Sequence, residues 1–200
     1  MFSDYSFEDL ASIFAMQGFA GLSLFSVFLL MALGLAIIFG QMGVINMAHG
    51  EFMILGAYTT YLTSHFFENY LPSLFPIYFF VALILSFIFT GLLGALIEYL
   101  MIRHLYSRPL DTLLATWGLS LILQQTYRSI FGAREVGVTL PDWLMGSVNL
   151  TDSIEIPING LFVLCLTIFV TFSVWYIMYR SKLGRQLRAV ILNRPMAGAV

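Results

Sequence analysis

The chain alternates between long apolar runs and short polar breaks, and the runs have the length of membrane crossings. From Leu10 to Gly50 there is no Asp, Glu, Lys or Arg. Residues 19–40 form the first clear run; about twenty apolar residues, at a rise of about 1.5 Å each, cover a hydrocarbon core of roughly 30 Å. Residues 51–67, 77–97, 110–127 and 160–179 repeat the pattern, the second and fourth being short. Between them lie a polar connection at 68–76 with Pro72 and Pro76, a basic loop at 103–109, and a polar stretch at 128–159. The pattern predicts an all-α, polytopic transmembrane bundle of about five spans. Residues 1–18 form an N-terminal tail, in which 7–16 suit an interfacial amphipathic helix. Residues 19–179 form the membrane domain with its loop at 128–159, and 180–200 a basic closing segment.

Composition agrees with this reading. The chain is 60% hydrophobic and 10% charged, whereas a soluble domain is about a quarter charged. The net charge of −2 hides an asymmetry: the first basic residue is Arg103, and five of nine lie between Arg180 and Arg194. Cytoplasmic loops keep the excess of Lys and Arg, so 180–200 and 103–108 face the cytoplasm and 128–159 lies outside. Asp4, Glu8 and Asp9 stand where a signal peptide carries basic residues, which argues against a cleaved leader. A single cysteine, Cys165, excludes a disulfide framework.

The polar break at 40–51 concentrates the candidate chemistry. It carries Asn46, His49 and Glu51 among Gly40, Gly43 and Gly50, between two apolar runs. Two readings stand side by side. In one it is an interfacial loop that starts the next helix. In the other it is a helix break at depth, where a carboxylate faces a partner or a polar cavity and the N-terminus moves to the cytoplasmic side. The second polar feature lies at 110–127. Asp111 or Thr112, after Pro109, suits a helix start, and Thr112, Thr116, Ser120, Gln124 and Tyr127 follow at steps of four, four, four and three. That spacing draws one polar stripe along one helix face. It fits either a solute path or hydrogen bonding between helices. Asn46, His49, Glu51, Thr116, Ser120 and Gln124 are the candidate pathway residues.

No catalytic residue, metal site, cofactor or nucleic-acid partner is expected. The zinc-type His-Glu-x-x-His pattern, the Gly-x-Ser-x-Gly elbow and the glycine-rich phosphate loop are all missing. The chain therefore does not bind ATP through that motif. In the closing segment Leu183, Leu187, Val190 and Ile191 fall on one helix face with Arg185 and Arg188 off it, which suits a short helix docking on a protein.

Two stretches carry a family resemblance. Gly43-Val44-Ile45-Asn46-Met47-Ala48-His49-Gly50-Glu51 with Gly56-Ala57-Tyr58, and Leu183-Gly184-Arg185 with Arg188-Ala189 and Met196-Ala197, resemble the inner-membrane permease subunits of bacterial ABC importers for branched-chain amino acids and urea. The likeness runs from Gly34 onward. Thr116 to Gln125, Val136-Gly137-Val138 and Asn193-Arg194-Pro195-Met196-Ala197 are closest to the urea branch; Ile191-Leu192 is more apolar than that family's pattern. The resemblance implies a second permease subunit, two cytoplasmic ATP-binding subunits, an external solute-binding protein, and ATP-driven uptake of a small polar solute, urea first and a branched-chain amino acid as the alternative. It implies that Gly184, Arg185, Arg188, Ala189, Asn193, Met196 and Ala197 couple the spans to the ATPase. Family members are longer, so the chain resembles an N-terminal portion, and a fragment inactive by itself stays among the alternatives. Two more are a passive channel, which needs no docking helix, and a membrane enzyme, which needs a second ligand or base near His49.

Overall fold

A computed structural model describes residues 7–43, 45–105, 108–151 and 154–192. In chain order it holds α1 (Phe7–Met42), α2 (His49–Tyr70), a 3-10 turn (Pro72–Ile77), α3 (Tyr78–Ile97), a π turn (Glu98–Ile102), α4 (Arg103–Leu105), α5 (Pro109–Phe131), α6 (Asp142–Met145), β1 (Ser147–Thr151), β2 (Ile154–Pro157), α7 (Ile158–Arg180) and α8 (Lys182–Leu192). The five long helices coincide with the five apolar runs. Among the described residues, Leu10–Gly40, Pro72–Leu105 and Ile158–Arg180 are long and apolar enough to cross a membrane by composition alone. α2 and α5, at 22 and 23 residues, have the length but dilute their apolar character with a polar face.

Three boundaries depart from the sequence reading. The interfacial helix expected at 7–16 is continuous with the first span in one helix of 36 residues. The third run does not stop before the basic loop: α3 passes through the π turn into α4, so Glu98 and Arg103 remain helical. The polar stretch at 128–159 carries, within this mostly helical fold, one short pair of strands. β1 and β2 pair antiparallel, Val148 opposite Ile156 and Asn149 opposite Glu155, with a register shift between Asn149 and Thr151. Val148, Ile154 and Ile156 supply the β-branched residues such a pair favours.

The chain divides into two compact units, one of Met1–Ile37 with Asp142–Val200 and one of Ile38–Pro141. In the first, α1 packs on α7. A Cβ at Gly160 would lie 2.9 Å from the Phe19 ring and 3.1 Å from Ser23 Oγ, so the two helices come close at this point. The Thr167 hydroxyl donates to the Val163 carbonyl at 2.7 Å and to the Ser26 carbonyl at 3.3 Å. Trp143 of α6 meets the Phe162 ring edge-on at 5.8 Å. In the second unit, α2 packs along α3 through small residues. Ser86 Oγ donates to the Gly56 carbonyl at 3.0 Å and lies 3.3 Å from Thr60 Oγ1. The fully buried Tyr78 donates to the Thr139 carbonyl at 2.5 Å, tying the stretch after α5 to the start of α3. The outward faces are apolar, as Phe87 at 81% and Phe169 at 68% exposure illustrate; lipid is the solvent that suits such faces.

Candidate functional site

The signature stretch folds as a break with a defined local cause. Gly43 adopts φ +65°, the left-handed conformation that glycine takes without steric penalty, and ends the helical path of α1. Asn46 then closes a turn on itself: its Oδ1 accepts from the Ala48 amide at 3.0 Å and its carbonyl from the His49 amide at 3.3 Å. The buried Ala48 carbonyl accepts from Glu51 and Phe52, which starts α2 at His49. The Met47 amide donates to Thr116 Oγ1 at 3.2 Å. Thr116 stands seven residues past Pro109, about 10 Å along the helix at its normal rise. The break therefore runs beside the interior of α5, not beyond its end.

Glu51 is the centre of the α2–α5 contact. It is 6% exposed, and its Oε1 accepts from Ser120 Oγ at 3.0 Å and Gln124 Nε2 at 2.7 Å. Its backbone carbonyl accepts from the Tyr127 hydroxyl at 3.2 Å. Two donors thus converge on one oxygen of this buried side chain, which offsets part of the cost of its burial. Further along the same contact Tyr58 stacks on Phe131, ring centroids 4.0 Å apart. Four stripe residues, Thr116, Ser120, Gln124 and Tyr127, thus bond to α2 or to the segment leading into it. Thr112 does not cap α5, contrary to the sequence reading: its hydroxyl donates to the carbonyls of Leu105 at 2.9 Å and Arg108 at 3.0 Å. Asp111 pairs instead with Arg108 at 3.6 Å on the surface.

The six candidate pathway residues do not gather in one place. Glu51 and Gln124 line a cavity of about 220 Å³ with Ile54, Tyr58, Tyr127 and Arg128. Asn46 and His49 line another, of about 300 Å³, with Thr90 and Glu98. Ser120 and Thr116 are buried in the helix contact between α2 and α5. Among the described residues, three buried side-chain polar atoms lack a hydrogen-bond partner, and two are His49 Nε2 and Glu51 Oε2. Thr90, Glu98 and Arg128 escaped the sequence reading. The spacing of four from Gln124 to Arg128 continues the stripe, and Glu98 is an acid inside an apolar helix; those were the available signals. Among the described residues no three of His, Cys, Asp and Glu come together as metal ligands.

The coupling candidates fall on α8. Ser181 caps that helix, its Oγ accepting from the Gly184 amide at 3.0 Å. Gly184 is buried against the end of α7, where a Cβ would overlap the carbonyls of Ile177 and Met178. The Arg188 guanidinium donates to the Met178 carbonyl and lies 5.4 Å from the centre of the Tyr179 ring. Arg185 is exposed. Ala189 lies within the helix, and Asn193, Met196 and Ala197 lie outside the described residues.

Comparison with known proteins places these features in a family. Residues 18–200 match the family model described as branched-chain amino acid transport system, permease component. The high-affinity branched-chain amino acid transport system permease protein BraD of Pseudomonas aeruginosa is 27% identical over 172 residues, covering 84% of this chain and 56% of the relative. The corresponding permease proteins LivH of Salmonella typhimurium and Escherichia coli K12 are each 28% identical, covering 92% of this chain and 61% of theirs. The chain thus spans 56–61% of the length of these relatives. Each is named for branched-chain amino acids, and none of the three for urea. No solved structure matches the chain. The chain belongs to the permease-component family of branched-chain amino acid transport systems, multi-pass proteins of the bacterial inner membrane.

Proposed function

We propose that this chain is a permease subunit of an ATP-driven importer and that its solute is a branched-chain amino acid. The observation that carries the proposal is the buried Glu51. A carboxylate at the start of a helix, beside the interior of a neighbouring helix and held by Ser120 and Gln124, builds a polar wall into an apolar bundle. Cavities open on both sides of the α2 turn that carries it. Glu51 and Arg128 also supply both charges to one of them, which suits a solute with an ammonium and a carboxylate.

In this reading a second permease subunit completes the pathway, an external binding protein delivers the solute, and two ATP-binding subunits dock on α8 from the cytoplasm. Basic residues on α8 fit that side of the membrane. Arg185 faces outward for docking, while Gly184 and Arg188 hold α8 against α7. Asn193, Met196 and Ala197 extend the same segment. Urea is the second reading, favoured by the likeness of 116–125 to urea permeases and by Gln124, since a neutral solute needs only hydrogen-bonding groups.

The test is uptake of labelled leucine and labelled urea into cells that lack their own systems. The intact importer is compared with its Glu51→Gln and Arg185→Ala forms. ATP-dependent leucine uptake that either substitution lowers at least tenfold supports the proposal. Urea uptake without leucine uptake moves the solute to the second reading. Flux of either solute without ATP overturns the importer reading in favour of a channel.

A further inference from the structure

Ser120 and Gln124 hold the Glu51 carboxylate, but a carboxylate on a flexible side chain is only as well placed as the backbone that carries it. α2 begins without a cap of its own. Ala48 stands at the capping position and makes no side-chain bond, so the amides ahead of the helix find partners elsewhere. Asn46 serves the Ala48 and His49 amides from within the turn. The Met47 amide is served from another helix, by Thr116 Oγ1 at 3.2 Å. We propose that Thr116 is a positioning residue, which fixes the entry of α2 so that the Glu51 carboxylate meets the ammonium group of the solute. The proposal rests on the branched-chain amino acid reading above and deepens it by naming the group that sets Glu51 in place.

Two contacts share one register. Met47 and Thr116 are 69 residues apart in the chain, and so are Glu51 and Ser120. α5 therefore grips α2 and its entry at two points about one helical turn apart. A slip of one residue at the start of α2 turns Glu51 by about 100° and takes its carboxylate away from Ser120 and Gln124. The backbone is held on both sides of that carboxylate, by Thr116 at the Met47 amide and by the Tyr127 hydroxyl at the Glu51 carbonyl. Tyr127 also lines the cavity of Glu51 and Arg128. Thr116 does not: it is fully buried and borders neither that cavity nor the one lined by Asn46 and His49. It therefore acts on a solute only through what it holds.

The hydroxyl suits this task. Thr116 Oγ1 donates to the Leu113 carbonyl of its own helix at 3.0 Å, which leaves an oxygen lone pair for the Met47 amide. Valine has nearly the same shape without the acceptor and strands a backbone donor in the helix contact. A buried donor left unmet costs more than an ordinary bond contributes. Serine keeps the oxygen. Binding groups work when their supporting contacts fix them to within about 0.5 Å, so a loosened α2 entry is felt as weaker recognition of the ammonium group.

The test is binding of tritiated leucine to the permease complex with its ATP-binding subunits in lipid nanodiscs, the external binding protein left out. The competitors are unlabelled leucine and 4-methylpentanoate, which is leucine without its amino group. The ratio of their inhibition constants reads the ammonium contact and does not depend on how much protein folds. Thr116→Val is expected to lower the preference for leucine over 4-methylpentanoate at least fivefold, and Thr116→Ser to keep it within about twofold of the wild type. Thr116→Ala carries the same expectation as the valine variant and replaces it where that one does not assemble. An unchanged ratio in the variants without the hydroxyl overturns the positioning role and leaves the solute reading standing. So does a serine variant as impaired as the valine variant, since the oxygen is then not what matters. Failure of both the valine and alanine variants to assemble, with the serine variant normal, also overturns it, because the hydroxyl then serves folding alone. A wild type with no preference for leucine over 4-methylpentanoate overturns the contact of Glu51 with the ammonium group, and one that takes up no leucine in cells overturns the amino-acid reading; either takes this role with it.

Discussion

The bond between Gln124 and Glu51 can be weighed directly. Gln124→Leu removes the donor at 2.7 Å and leaves Oε1 with Ser120 alone. Hydrogen bonds to charged groups contribute about 1.5–3 kcal/mol in soluble proteins. Between membrane helices the average is nearer 0.6 kcal/mol with a maximum of about 1.7, because the separated helices find other partners. Gln124 donates to a carboxylate that is 6% exposed, so the upper part of the membrane range applies, about 1–1.7 kcal/mol. The effect of Glu51→Leu alone is the sum of two opposing terms, since it strands the donors of Ser120 and Gln124 but also removes a charge from an apolar interior. The informative quantity is the coupling in a double-mutant cycle of Gln124→Leu and Glu51→Leu. Reversible unfolding of the purified protein in bicelles with increasing dodecyl sulfate measures it. Independent sites add within about 0.3–0.5 kcal/mol, so a coupling below about 0.5 kcal/mol would refute the claim that this contact joins α2 to α5.

Two further outcomes follow from the packing. Gly160→Ala places a methyl group 2.9 Å from the far edge of the Phe19 ring, and because that ring edge can turn aside the destabilisation of the α1–α7 contact is expected to stay below about 1 kcal/mol, while Gly94→Ala, in open space, is tolerated; thermal unfolding of the two variants side by side checks both. Ser181→Ala removes the cap that bonds the Gly184 amide and costs α8 about 1 kcal/mol, read as faster amide exchange confined to residues 182–186.

The membrane helices were legible in the sequence because apolar runs of bilayer length have few alternatives. The Thr116–Tyr127 stripe was legible too, since its spacing is geometric. What the stripe faces was not: nothing in a one-dimensional pattern says that Ser120 and Gln124 meet Glu51, about seventy residues away. Thr112 misled because threonine serves both as a cap and as a donor to a preceding carbonyl. Glu98, one residue past the run at 77–97, drew no notice because no residue type announces a π turn. The hairpin β1–β2 hid in a stretch read for its charges, though Val148, Ile154 and Ile156 were there to be noticed. Arg188, read as a docking residue, turns back onto the end of its own preceding helix.

The π turn at Glu98–Ile102 also bears on how this helix tolerates insertions and deletions. Each residue of an ordinary α-helix advances the side chains by about 100°, so removing one from Tyr78–Ile97 would swing everything beyond it towards a new neighbour. A π turn is a helix holding one residue in surplus. Deleting a residue within it returns the backbone to regular winding and leaves both flanks facing as before. In α3 this is the place where a change of chain length can be absorbed without re-sorting which residues meet lipid and which meet protein.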